Sequence, residues 1–196
     1  MRVTAAARTH VLNHALRSMR HVDILAHIAQ ITREERRSAR ADEPFGIVAP
    51  LSACAGLTRL RVEHEILPPG RRSSSPHAHT AREEVVYVIS GTPDLWLDGE
   101  LHPMKPGDCA VFAAGTGLAH AVLNNSDTDA EMLVIATLAD DDVCFYPFAS
   151  EPSALPAEVA RAWAVRPRGP HEGIPATKTG DRPPKQEREA PYVSMS

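Results

Sequence analysis

The sequence predicts an all-β fold in which short strands close into a barrel or pack as two sheets. Between residues 50 and 148, runs of β-branched and aromatic residues recur about every 8 to 12 residues, separated by Gly, Pro, Asn and Asp. This region has almost no helical period. The chain has 196 residues, 43% of them hydrophobic, which is enough for one domain with a sizeable core. We therefore expect a β barrel over 50–150, an N-terminal extension over 1–49 and a C-terminal segment over 151–196.

The N-terminal extension is predicted to be partly helical. Ile24, Leu25, Ile28 and Ile31 recur at helical spacing, and a charged run over 33–37 follows them. This pattern predicts a short amphipathic helix over 22–37 that packs on the barrel or on a partner subunit.

The first barrel strand is predicted over 57–67, where apolar and charged residues alternate. We expect the apolar face to point into the barrel, because alternation is typical of a half-buried strand. His64 lies on that face and is a candidate catalytic residue; the simpler alternative is a hydrogen-bonded histidine in the core or at the barrel rim. One face carries Leu60, Val62, His64 and Ile66, and the other carries Arg59, Arg61, Glu63 and Glu65.

The remaining strands follow from short runs bounded by turn residues. Residues 85–89 predict a buried strand that ends at Gly91, and shorter strands are expected at 110–112, 120–122 and 131–138. Asp98-Gly99 predicts a type I′ turn between the strands of a hairpin. Residues 156–164 predict one short helix that docks Trp163 on the barrel, before a Pro-rich tail.

Composition limits the partners that we expect. The formal net charge of -4 provides no basic field, which disfavours nucleic acid and anionic membranes. No run approaches the ~18 to 20 apolar residues of a membrane span. The three cysteines lack a Cys-x-x-Cys pair, which fits a reducing, cytoplasmic location. Small molecules are the expected ligands, and a homodimer is expected because the extensions could cover open strand edges.

Residues 77–84 contain a candidate metal site. His77 and His79 are two residues apart, so their side chains share one face of an extended backbone. The four residues that follow allow the chain to turn and return, which brings Glu84 beside the two imidazoles. His120 follows another hairpin-rich stretch and could complete the set. Imidazole and carboxylate ligands suit a divalent transition ion, and this ligand set alone does not distinguish Fe, Mn, Ni, Co, Cu and Zn.

The spacing of these residues resembles the two sequence motifs of the cupin family. The first motif is matched by Gly70, His77, His79, Glu84 and Gly91, and the second by Gly107, Asp108, Gly115, His120 and Asn124. Two departures are visible: Ala113 stands where the family usually has Pro, and four residues separate Gly115 from His120. The resemblance implies a double-stranded β-helix, or jelly-roll barrel, and a metal ion held by three His and one Glu.

Two classes of function fit this interpretation. In a metal-dependent enzyme, a small oxygen-rich substrate would bind the ion and undergo oxygen insertion, as in a dioxygenase, or isomerisation or lyase-type proton transfer. The alternative is a non-catalytic cupin that binds a small molecule or a sugar, because the fold alone does not determine function. In either case we expect an apolar pocket beside the ion, lined by Val86, Val88, Phe112 and Val122.

Overall fold

The computed structural model describes residues 25–38, 42–54, 56–149, 154–164 and 169–176. Within these ranges it contains eleven strands. They are β1 Glu34–Arg37, β2 Pro44–Pro50, β3 Leu60–Leu67, β4 Ala78–His79, β5 Glu84–Ser90, β6 Asp94–Leu97, β7 Glu100–Pro103, β8 Cys109–Phe112, β9 His120–Leu123, β10 Ala130–Thr137 and β11 Cys144–Phe145. The helical segments in the same ranges are a 3-10 helix Ile28–Gln30, α1 Leu51–Cys54 and α2 Ala157–Ala164.

The strands form antiparallel sheets, which confirms the predicted all-β jelly roll. Six strands make one sheet in the order β1-β2-β3-β10-β5-β8, three make a second in the order β7-β6-β9, and β4 pairs with β11. Side chains from β3, β5, β8 and β10 form one buried apolar cluster with Val122 of β9. The main core therefore lies between the two larger sheets.

A second apolar cluster covers the other face of the smaller sheet. Trp96 and Leu123, both 0% exposed, pack there with Phe145 and with Trp163 of α2. The Trp163 ring lies 5.8 Å from the Phe145 ring, so α2 docks as the sequence predicted. The described C-terminal segment 169–176 also contacts this chain, because Trp96 Nε1 donates a hydrogen bond of 2.7 Å to the His171 carbonyl.

The predicted hairpin turn is confirmed. Asp98 and Gly99 link β6 to β7 and have φ of 51° and 93°, the left-handed conformations that a type I′ turn requires. The register pairs Leu97 with Glu100, so the turn has the two residues that the sequence indicated.

The predicted N-terminal helix over 22–37 is wrong within the described residues. Ile28–Gln30 forms one 3-10 turn and Glu34–Arg37 forms β1, whereas residues 22–24 lie outside the described ranges. The charged side chains explain the strand, because Arg71 donates to Glu35 at 2.8 Å and Arg36 pairs with Glu63. These tertiary contacts override a weak local preference for helix. Strands β1 and β2 thus extend the barrel sheet into residues assigned to the N-terminal extension.

The prediction that the apolar face of β3 points inward is also wrong. Glu63, Glu65 and Leu67 are the buried residues, whereas Leu60 is 41% exposed and His64 is only partly buried. The interior thus receives charged side chains from β3. Burying them is acceptable only where partners compensate for their desolvation.

Membrane-spanning helices are absent from the described residues, since none of the helical segments there is long and apolar enough to cross a bilayer.

The homodimer stays a prediction, and the outer face of the six-stranded sheet is where we expect it to form. Tyr87, Ile89 and Val111 are 43%, 42% and 64% exposed on adjacent strands, and such patches often mark interfaces. Light scattering should report twice the chain mass of 21.3 kDa. Val111→Asp should give monomers, whereas Ile174→Asp, on the C-terminal segment, should not. A wild-type monomer at all micromolar concentrations would contradict the prediction.

Candidate functional site

The three histidines of the predicted site converge although they lie on different segments. His77 forms a bridge with His120, in which the His77 N–H donates to the His120 carbonyl at 3.1 Å and the reverse bond is 2.8 Å. The ring centroids of His77 and His79 are 4.8 Å apart, and those of His77 and His120 are 4.9 Å apart. The longer loop before His120 therefore does not displace it from the cluster.

Each imidazole has an oxygen partner at Nδ1. His77 Nδ1 lies 2.9 Å from the Ser75 carbonyl, His79 Nδ1 lies 2.7 Å from Asp142 Oδ2, and His120 Nδ1 lies 3.4 Å from the Leu118 carbonyl. Such contacts place the proton on Nδ1 and leave Nε2 with a lone pair. Burial lowers the pKa of His77 to about 3, assisted by the neighbouring His120 and His79, and burial also lowers the pKa of His79. Both rings are therefore neutral at neutral pH, the form that binds metal.

Glu84 supplies the negative charge of the site. Burial alone would raise its pKa, but the nearby His120, His77 and Arg61 outweigh burial and lower the pKa to about 2. Its Oε1 lies 3.6 Å from His120 Nε2, which is too long for a hydrogen bond. Glu83 is exposed, so the structure places Glu84 inside and Glu83 outside, as predicted.

The donor atoms fit a divalent metal ion. The ligand atoms of His77, Glu84 and His120 all lie within 4.8 Å of one another. His79 Nε2 and His120 Nε2 are buried and have no hydrogen-bond partner. Leaving such atoms unsatisfied costs roughly 1–3 kcal/mol each, which an ion would offset. Imidazole and carboxylate together suit a transition ion, and the roles of His77, His79, Glu84 and His120 as its ligands stay a prediction.

Asn124 of the second motif lies outside this ligand set. It is 0% exposed, and its Nδ2 donates to the carbonyls of Leu67 at 2.6 Å and Thr128 at 2.8 Å. Its role is to tie the end of β9 to β3 and to the turn that leads into β10.

The cluster opens into a cavity of about 390 Å³ whose walls differ from those predicted. Val86 and Val122 line the cavity, whereas Val88 and Phe112 do not. Val88 is 0% exposed and lies in the main core, two residues further along β5 than Val86. Phe112 stacks on the His120 ring at 3.6 Å and thereby fixes the orientation of that ring.

His64 is not in the site, so its assignment as a catalytic candidate is wrong. Its Nδ1 lies 3.2 Å from Arg33 and its Nε2 lies 3.3 Å from Glu131, on the outer face of the sheet. The structure supports the alternative of a hydrogen-bonded rim histidine.

Charged residues that sequence reasoning missed occupy the cavity wall. They include Arg36 of β1, Arg61 and Glu65 of β3, and Arg82 before β5. For Arg61 and Glu65 the available signal is the charged half of the alternation in β3, which the prediction of an inward apolar face leaves out of the cavity. The Nε atoms of Arg61 and Arg82 are buried without hydrogen-bond partners, and both side chains line the cavity.

Asp142 was also missed, because no motif connects it to the histidines. Its Oδ1 accepts hydrogen bonds from the N–H groups of Ala81 and Arg82, at 3.0 and 3.2 Å, while Oδ2 contacts His79. Burial raises the pKa of Asp142, but these contacts have the larger effect and lower it. A carboxylate behind a histidine fixes its tautomer, as behind many metal ligands.

Glu65 is the unusual acid of the cavity. It is 3% exposed, and its Oε1 is buried without a hydrogen-bond partner. Burial, with the nearby carboxylates Glu63 and Glu84, raises the pKa of Glu65 to about 8 despite Arg36 and Arg61. Gly46 makes this position available, because a Cβ there would overlap Glu65 Oε1. The cavity thus contains a carboxyl that is largely protonated at neutral pH.

Comparison with known proteins identifies the fold family. The family model for the cupin domain matches residues 63–136, which include both histidine motifs and Glu84. A solved sugar phosphate isomerase of the cupin superfamily from Silicibacter pomeroyi is 28% identical, with a TM-score of 0.59. The match covers 68% of this chain and 98% of that one. Residues 63–136 of this chain therefore form a cupin domain.

Two further structures resemble this cupin. A candidate sugar phosphate isomerase from Acidithiobacillus ferrooxidans is 27% identical with a TM-score of 0.60, covering 64% of this chain and 81% of that one. A predicted oxalate decarboxylase from Thermotoga maritima is 24% identical with a TM-score of 0.50, covering 59% and 99%, and supports the fold alone. No curated protein matches the chain.

Glu65→Gln should make the metal-free protein less sensitive to alkaline pH. Because the folded-state pKa of about 8 lies above the ordinary value of 4.5, the stability linked to protonated Glu65 is fully present below pH 4.5 and lost as the pH rises through about 8. Glutamine cannot ionise, so thermal unfolding in EDTA should show the variant to be more stable than wild type. The difference in the free energy of unfolding should grow over this pH range, up to roughly 4 kcal/mol. The exposed Glu83→Gln should follow wild type, and parallel curves for Glu65→Gln would contradict the assignment.

Proposed function

We propose that this cupin is a metal-dependent isomerase, or a related lyase-type enzyme, that moves a proton within an anionic, oxygen-rich molecule of the sugar phosphate class. The observation that carries the proposal is one cavity that combines the ligand cluster, three arginines and the protonated Glu65. Two similar structures above 25% identity are described as a sugar phosphate isomerase and a candidate one, which supports the same class.

The arginines favour an anionic substrate. Arg36 pairs with Glu63, Arg61 lies 3.4 Å from Glu84, and Arg82 Nε lies 3.6 Å from Asp142. Once Glu84 is neutralised by a divalent ion, positive charge exceeds negative charge around the cavity. Guanidinium groups bind phosphate and carboxylate through paired hydrogen bonds, so they would hold the anionic group of the substrate and position its reacting carbons.

The ligand cluster and Glu65 would divide the chemistry between them. A divalent ion held by His77, His79, Glu84 and His120 supplies Lewis acidity toward a carbonyl or hydroxyl oxygen of the substrate. Glu65 can give a proton to the substrate and regain one, because its pKa of about 8 lies close to neutral pH. Isomerisation of a hydroxy carbonyl compound moves one proton between neighbouring carbons and one between their oxygens, and it consumes no other reactant. A carboxyl that gives its proton to the carbonyl oxygen and takes the proton of the neighbouring carbon, then gives that proton to the first carbon and takes one from the second oxygen, completes this balance.

The experiment is a substrate screen with internal controls. Protein loaded in turn with Mn, Fe(II), Co, Ni, Cu or Zn is incubated in deuterated water with hexose and pentose phosphates and with the unphosphorylated sugars. NMR follows isomer formation and deuterium incorporation, and an oxygen electrode follows oxygen consumption. We expect turnover of at least one phosphorylated sugar without oxygen consumption. Oxygen consumption with product would instead indicate a dioxygenase, and ligands recovered unchanged with every ion would indicate a non-catalytic binding protein.

Two variants test the assigned roles. Glu65→Gln should retain the metal while lowering kcat by about 10² to 10⁴, the usual contribution of a positioned acid or base. Arg36→Gln should raise KM for the phosphorylated substrate about 10- to 100-fold, as expected for one charge-assisted hydrogen bond. Arg37→Gln is the matched control, since its side chain pairs with Glu35 and Asp42 outside the cavity. Equal effects of Arg36→Gln and Arg37→Gln would contradict the arginine assignment.

A further inference from the structure

A second donor set shares His77 with the first. The ligand atoms of His77, His79 and Cys144 all lie within 4.8 Å of one another. His77 therefore belongs to two groups of three, one with Glu84 and His120 and the other with His79 and Cys144. The first group has two nitrogens and an oxygen, and the second has two nitrogens and a sulfur.

Cys144 is fixed beside His79 by the backbone. The β4–β11 register pairs Cys144 directly with His79, and directly opposed residues in an antiparallel pair project from the same face. The adjacent Thr80 N–H donates to the Val143 carbonyl at 3.2 Å, and the Val143 N–H donates to Thr80 Oγ1 at 2.7 Å. The thiol consequently lines the same cavity as the histidines.

The second set also contains an unsatisfied buried atom. The His79 side chain is 7% exposed, Asp142 contacts its Nδ1, and its Nε2 has no hydrogen-bond partner. A ring nitrogen of His79 lies within 4.8 Å of the Cys144 sulfur and of a His77 ring nitrogen. A buried lone pair beside a second imidazole and a thiol is an arrangement that a metal ion satisfies.

We infer that Cys144 is a ligand for soft divalent ions, such as Cd or Zn, through a His77–His79–Cys144 set that harder ions do not use. Thiolate binds soft ions strongly, whereas carboxylate suits harder ions such as Mn. The centre thus offers both a carboxylate and a thiolate, and the chemistry of the ion decides which of the two becomes its ligand. On binding, the thiol loses its proton to the buffer as the sulfur–metal bond forms, with no change of oxidation state.

The test uses the full-length metal-free protein and single ions as probes. One equivalent of Cd(II) should produce a thiolate-to-metal charge-transfer band in the near ultraviolet. Cys144→Ser should abolish this band, reduce by one the number of protons released, and weaken Cd(II) binding by at least about 10-fold, since even indirect partners of ligands contribute that much. Mn(II) affinity, measured from the EPR signal of the free ion, should stay unchanged in Cys144→Ser.

Two controls separate this inference from general damage. Cys109→Ser, at an exposed position on β8, should keep the band. Glu84→Gln should show the mirror pattern, with the Cd(II) band kept and Mn(II) binding weakened. The inference is overturned if wild type shows no thiolate band, if the band survives in Cys144→Ser, or if that variant loses Mn(II) affinity by the same factor as Cd(II) affinity.

The inference concerns the same centre but does not depend on the proposed reaction. Normal Mn(II) binding with no thiolate band would overturn the role of Cys144 and leave the proposed isomerase intact. A thiolate band in a protein that turns over no sugar phosphate would support Cys144 and count against the proposed function.

Discussion

An ionised carboxylate buried among neutral imidazoles is the constraint on which the rest of this structure depends. Glu84 keeps its charge, and His79 and His120 present Nε2 atoms that no protein group satisfies. Burying the Glu84 charge costs several kcal/mol, which Arg61 at 3.4 Å only partly offsets, and each unsatisfied nitrogen adds roughly 1–3 kcal/mol. A divalent ion compensates all of these costs at once. The same lone pairs that destabilise the metal-free barrel would therefore give it affinity for metal, because strands rather than loops fix their positions.

The cavity beside the ligand cluster also contains buried charged groups. Charged residues of β3 point inward, where Arg61 lies between Glu63 and Glu84. Arg36, on the edge strand β1 of the same sheet, pairs with Glu63. Such groups would be costly in a purely structural core, so their presence beside the ligand cluster supports the proposal that a polar ligand binds there. Glu65 differs from the other acids because burial keeps it protonated, which gives the cavity both an ionised and a neutral carboxyl. Enzymes that transfer protons commonly separate their acids in this way.

Much of the site could be predicted from the sequence, because spacing determines which side chains share a strand face. The period of two brought His77 and His79 together and separated Glu84 from Glu83. The same period could not show which face of β3 is buried, since the charged cavity reverses the usual placement of charged residues. Nor could it show which residues of a buried face reach the cavity: Val86 and Val88 share a face and a core cluster, yet Val86 lines the cavity and Val88 does not. Contacts that join distant segments, such as the one from β11 to His79, leave no local pattern.

The most direct test of the account is the metal content of the purified protein after loading with Mn(II) and desalting. Elemental analysis should find close to one ion per chain in wild type and in Glu83→Gln, whose side chain points outward. Glu84→Gln is nearly isosteric but lacks the negative charge. It should therefore retain no more than about one tenth as much metal, while its circular dichroism spectrum stays that of a β protein. Wild-type protein that retains no ion, or equal metal in both variants, would contradict the account.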